Sequence, residues 1–131
     1  MPHWTALVTV LAILVYFYTT VLVARARRKF GIVAPATVGN PDFERIFRVQ
    51  MNTLEWMPIF LPLLWLFAAY VSDAGAAVLG LVWCAGRVLY IVNYSKAAER
   101  RGPGFGLQAG VCLVLLVSAL AGIVFALAHH G

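Results

Sequence analysis

The chain has 131 residues, 63% of them hydrophobic and only 11% charged, with a mean hydropathy of +0.88 and a formal net charge of +5. Soluble domains are roughly half apolar, so a chain this short could not hide so much apolar surface from water. The cations flank apolar runs and form no separate basic module, which excludes a nucleic-acid binder as well as an ordinary soluble domain.

The first apolar run covers about residues 4–24, near the roughly 20 residues that a helix needs to cross the hydrocarbon core. Its basic residues, Arg25, Arg27, Arg28 and Lys29, follow the run instead of preceding it. The run is also longer than a secretory h-region, so it is expected to be a retained helix. The next stretch, GIVAPATVGNPDF, holds two Pro and two Gly and is a loop. Its end is a helix start: Asn40 can cap, Pro41 suits the first helical position, and Asp42 favours the positive end of the dipole. The second span covers about 57–71, and its helix begins near 41, so its first turns should stand in the headgroup zone or in water. Pro58 and Pro62 fall inside it and should bend it.

The short SDAGA connection makes the second and third helices antiparallel neighbours, with Asp73 capping or starting the third. That span covers about 74–92, and its helix is expected to continue to about 101, where Gly102, Pro103 and Gly104 stop it. The fourth span covers about 105–128. Its small residues Gly106, Gly110, Ser118, Ala119 and Gly122 mark places where helix backbones can approach closely, and Gln108 should bond to the adjoining loop. The fold class is therefore an all-α membrane protein, a four-transmembrane-helix bundle forming one domain over 1–131.

All ten Lys and Arg lie in or near two places, the connection between the first and second helices and the end of the third helix with the loop after it. By the positive-inside rule both basic loops face the cytoplasm and both termini face the other side. A bacterial inner membrane and an endoplasmic reticulum membrane fit equally. Cys84 and Cys112 sit inside spans with no metal-type spacing, and His3, His129 and His130 lie at the ends with no acidic or thiol partner, so no metal site is expected.

The stretch RVQMNTLEW places polar groups at the membrane edge. Residues three, four and seven apart share a helix face, so Arg48, Asn52 and Glu55 stack on one side of the second helix. Trp56 lies beside them, one turn from Asn52, and Gln50 points elsewhere. On the third helix Arg87, Tyr90 and Tyr94 are spaced by three and four, and Arg101 follows Tyr94 by seven. Ionisable groups at membrane depth face a protein interior or a wet cavity, so two such stripes at one leaflet indicate a cavity there. A structural role also fits, with Arg48 and Glu55 pairing with Arg87 and the tyrosines serving as interfacial aromatics. Against it stands the surplus of Arg over Glu, which suits carboxylates or phosphates supplied from outside. A ligand with two carboxylates, an ammonium and a thiol, such as glutathione, matches this inventory. A nucleotide would bring a Gly-rich phosphate loop, which is missing.

FERIFRVQMNTLEWMPIFLPLLW and GRVLYIVNYSKAAERR, with ARRKF closing the first helix, resemble the MAPEG family (membrane-associated proteins in eicosanoid and glutathione metabolism). The likeness is to its branch of leukotriene C4 synthase and microsomal glutathione transferases of types two and three, and it covers nearly the whole chain. The resemblance implies a homotrimer with glutathione as co-substrate, bound at subunit interfaces near the cytoplasmic leaflet. A lipophilic electrophile or lipid hydroperoxide would enter from the bilayer lipids. Carried over by motif, Arg48, Asn52 and Glu55 hold glutathione, with Glu55 on its ammonium. Arg27 adds to the carboxylate clamp, and Gln50, Tyr90 and Tyr94 complete the pocket, with Arg87 beside it. Arg101 is implied as the catalytic group that stabilises the thiolate, with neighbouring Arg100 as the alternative, and Arg28 as an assistant in epoxide opening. Trp56 departs from the family Tyr; its indole donates a hydrogen bond but cannot accept one. The implied activity is a glutathione transferase with peroxidase capacity. The alternatives are a non-catalytic lipid-binding trimer similar to five-lipoxygenase-activating protein and, less well matched, a four-span transporter, which would need a deep acidic residue.

Overall fold

A computed structural model describes residues 1–96 and 102–130, and within them four long helices carry almost the whole chain. In chain order these are α1 (His3–Phe30), α2 (Pro41–Tyr70), α3 (Asp73–Lys96) and α4 (Gly102–His130). Each is long and apolar enough to cross a membrane. The chain is a multi-pass integral membrane protein of all-α class. Apolar side chains such as Leu14, Phe17, Val117, Leu120 and Val124 stand exposed on α1 and α4, as lipid contact requires.

Half of the apolar window of α3 is buried, against less than a third in each other helix. It therefore forms the centre of the bundle. There the Phe60 and Trp83 rings stack at 4.0 Å, within a core that includes Val8, Ala12, Leu64, Ala76 and Leu115.

The helix ends follow local chemistry. At the start of α2 the Asn40 side chain accepts from the N–H groups of Asp42 (2.9 Å) and Phe43 (3.1 Å), and the Glu44 carboxylate reaches back to the Gly39 N–H at 3.2 Å. This confirms Pro41 as the first helical residue. α1 runs past the apolar run, through the whole basic cluster, and ends at Phe30, so ARRKF closes it as expected. It closes on Gly31, whose φ of 68° is the left-handed conformation that favours glycine.

Three sequence expectations are refined by the structure. Gly102, Pro103 and Gly104 form the first turn of α4, where proline's missing N–H removes no helical bond, and the expected continuation of α3 to about 101 lies outside the described residues. Asp73 opens α3, but its carboxylate serves α1. It accepts from Thr5 N–H (2.9 Å), Thr5 Oγ1 (2.7 Å) and Trp4 N–H (3.3 Å), satisfying first-turn donors of another helix. The cap of α3 is Ser72, whose Oγ accepts from Gly75 N–H at 3.0 Å. Among the small residues of α4, Gly106 and Gly110 have open space around them, whereas a Cβ on Gly104 would fall 2.3 Å from the Tyr90 nitrogen. Gly104 is thus the place where α4 lies against the backbone of α3. Gly122 does face a neighbour, the Tyr70 carbonyl.

Candidate functional site

The polar faces of α2 and α3 meet. A groove of about 310 Å³ between them is lined by Arg48, Met51, Asn52, Glu55, Tyr90 and Tyr94. Small-molecule sites start at roughly 300 Å³, so the space suits a compact ligand. A second recess of about 240 Å³ shares Asn52 and Tyr90 with it and continues to Gly102 and Phe105 on α4. The walls are therefore polar on the α2 side and aromatic toward α4.

The groove's wall is built from behind. Arg87 is fully buried, 0% exposed. Its Nη1 donates to Asn52 Oδ1 at 2.7 Å and to Thr53 Oγ1 at 3.3 Å, and its guanidinium lies 4.5 Å from the Tyr90 ring centroid. Because Arg87 takes the Asn52 carbonyl oxygen, the amide NH₂ is the group that Asn52 has left for the groove. Tyr90 in turn stacks on Tyr94 at 5.4 Å, which sets both rings along the α3 wall.

The pairing of Arg48 and Glu55 with Arg87, which the spacing left open, does not occur. Among the described residues the sole ion pair is Arg45 to Asp42, at 2.6 Å. Arg48 and Glu55 are both exposed, so a guanidinium and a carboxylate stand on the groove with their charges available. Two charges of opposite sign, an amide NH₂ and aromatic walls can hold a zwitterionic peptide-like ligand by charge-assisted hydrogen bonds.

The other sequence candidates lie off this groove within a single chain. Gln50 turns toward α1 and donates to Thr20 Oγ1 at 3.3 Å. Trp56 turns toward α4, where it meets Phe105 edge-on at 5.6 Å. Arg27 donates from Nη1 to the Ala36 carbonyl at 2.7 Å and lies over the Phe43 ring, tying the loop after α1 back to the helix. Arg28 is exposed at the end of α1. Arg100 and Arg101 lie outside the described residues.

Sequence reasoning missed several groups. Met51, which lines the groove, was legible as the residue three after Arg48. Phe105 carried no signal, since its place depends on the close approach at Gly104. The buried pair Trp83 and Gln108 was also missed. Gln108 is 0% exposed and accepts from Trp83 Nε1 at 3.1 Å, instead of bonding to the loop as expected.

A family model for the MAPEG family matches residues 5–121. An uncharacterized protein of Synechocystis sp. is 50% identical over 124 residues, 95% of this chain and 90% of its own length. Microsomal glutathione S-transferase 2 of Homo sapiens is 40% identical over 118 residues, 90% of this chain and 80% of its own. Leukotriene C4 synthase of Bos taurus is 36% identical over 116 residues, 88% of this chain and 77% of its own.

Proposed function

The chain belongs to the MAPEG family, and from that premise we propose that it is a membrane-bound glutathione transferase. The observation that carries the reading is the groove on which Arg48, Asn52 and Glu55 stand opposite Tyr90 and Tyr94. Relatives named as a glutathione S-transferase and a leukotriene C4 synthase support it.

In this reading glutathione is the co-substrate. Arg48 holds a carboxylate, Glu55 takes the ammonium, and the Asn52 amide donates to the peptide backbone. We assign Arg101 to the thiol. A free thiol has a pKa of about 8.5, so little thiolate exists at neutral pH. A fixed guanidinium stabilises the anion, and Arg suits the task because it keeps its own proton. The thiolate sulfur attacks an electrophilic carbon of a lipophilic substrate, forming a C–S bond while the leaving group departs with the electron pair. For an epoxide the ring oxygen takes that pair and a proton, with Arg28 beside it. The same thiolate can attack the terminal oxygen of a lipid hydroperoxide, breaking the O–O bond and releasing the lipid as an alcohol; a second glutathione then displaces the oxygen of the resulting sulfenic acid as water and forms the disulfide.

Arg27, Arg28 and Gln50 lie away from the groove of their own chain. We assign them to the groove of a neighbouring subunit in a homotrimer, with both basic loops and the groove at the cytoplasmic leaflet. The aromatic recess toward Phe105 is the entry for the lipid-borne electrophile.

The test is thiolate absorbance on mixing purified protein with glutathione at neutral pH. A stoichiometric ultraviolet rise is expected, and Arg101→Ala should abolish it while glutathione affinity stays within a modest factor. Equal loss of binding and turnover would make Arg101 a clamp. Neither a rise nor binding in the unaltered protein would leave a lipid-binding trimer as the reading.

A further inference from the structure

A larger recess, of about 380 Å³, lies between α1, α2 and the end of α3 and shares no lining residue with the groove. Three cations line it: Arg25 and Lys29, one turn apart on α1, and Arg45 on α2. One carboxylate accompanies them, Asp42, and Arg45 Nη2 already occupies it at 2.6 Å. No other acid is paired with these cations among the described residues. The Nε of Arg45 and the Oγ of Ser95 are buried without a hydrogen-bond partner. The recess therefore gathers donors and carries more positive than negative charge. Glutathione is a poor fit, because its ammonium would meet three cations and a single carboxylate that Arg45 already engages.

Two apolar residues of the recess, Leu22 and Ile46, lie deeper than the cations of their own helices, while Ala26 and Phe30 lie among and beyond them. Leu22 precedes Arg25 by one turn, toward the middle of the span, and Ile46 follows Arg45 toward the middle of α2. Cations at the outer end with aliphatic contact below them are the pattern for an amphiphile whose anionic head sits at the membrane surface. Basic pockets between spans recognise lipid headgroups in this way. A tetrahedral phosphate can accept from several guanidinium and ammonium donors at once.

We propose that the recess between α1 and α2 binds the phosphate of an anionic phospholipid, with Arg25, Lys29 and Arg45 as donors and the lipid's apolar stem along Leu22 and Ile46. This site is independent of the groove and of its glutathione chemistry.

The experiment compares phosphatidylglycerol with phosphatidylcholine in mixed micelles of the full chain, by thermal stability and by native mass spectrometry of retained lipid. Phosphatidylglycerol should raise Tm and be retained. Arg25→Gln with Lys29→Gln should weaken retention roughly thirtyfold, as loss of two cations near a membrane surface implies, while glutathione affinity is unchanged. Arg25→Lys, which keeps the charge, should retain most of the effect. Should the double variant fail to fold, Arg25→Gln alone carries the test with a loss of roughly fivefold. Equal retention by variant and unaltered protein, or equal retention of the two lipids, overturns the proposal. Inorganic phosphate giving the same stabilisation without lipid overturns the lipid assignment in favour of a soluble phosphate ligand.

Discussion

Two arginines at the same end of the bundle have opposite surroundings. Arg48 stands exposed on the groove, whereas Arg87, one helix away, is enclosed by Asn52, Thr53, Tyr90 and Trp83. The first is available to a ligand. The second donates to the wall through Nη1 alone, with Nε and Nη2 buried without a hydrogen-bond partner, and it orients the amide that the ligand would meet. The polar groups of one motif thus divide into a surface that binds and a support that shapes it, and Asn52 and Tyr90 belong to both.

The largest effect should come from breaking the support. Arg87→Ala removes a long, fully buried side chain and leaves the Asn52 oxygen unpaired. Large-to-small changes in a core cost about 2–5 kcal/mol, so Tm in detergent should fall sharply. A variant that melts like the unaltered protein would show that the cluster behind the groove carries no structural weight. The Arg48→Ala counterpart should leave stability within about 0.5 kcal/mol, as surface changes do, and weaken glutathione instead.

Next in size is a backbone test of the same division. Gly104→Ala sets a methyl 2.3 Å from the Tyr90 nitrogen and 2.8 Å from the Gly86 carbonyl, so α3 and α4 must part. Overpacking of this kind costs about 1–3 kcal/mol, and the shift of Tyr90 should weaken glutathione as well. Gly106→Ala, two residues on, meets open space and should be neutral or slightly stabilising. Similar melting of the two variants would contradict the placement of α4.

The smallest change in stability, and the sharpest test of the groove, is Glu55→Gln. It keeps size and removes charge. A hydrogen bond to a charged group is worth about 1.5–3 kcal/mol, so glutathione affinity should drop roughly tenfold to a hundredfold with Tm unchanged. Calorimetry that finds the same affinity would remove Glu55 from the ammonium site.

Much of this was legible in the residues. Hydropathy marks the four spans, because lipid demands long apolar helices with every backbone group satisfied internally. Asn40, Pro41 and Asp42 mark the start of α2 because capping is chemistry between near neighbours. The common face of Arg48, Asn52 and Glu55, and the divergence of Gln50, follow from helical periodicity alone.

What only the tertiary structure decided are the relations between faces. Periodicity puts Arg87, Tyr90 and Tyr94 on one stripe, but it does not say that Arg87 is turned inward to Asn52 while the groove opens beside the tyrosines. Asp73 looks like a cap for its own helix, yet it serves the first turn of α1, 68 residues earlier in the chain. Gly104 looks like a stop signal and lies in the first turn of α4, against the backbone of α3. Each of these depends on which residues distant in sequence are brought within a few ångströms. A local pattern sets what a helix can present; the packing of the four helices against one another sets what each presented group meets.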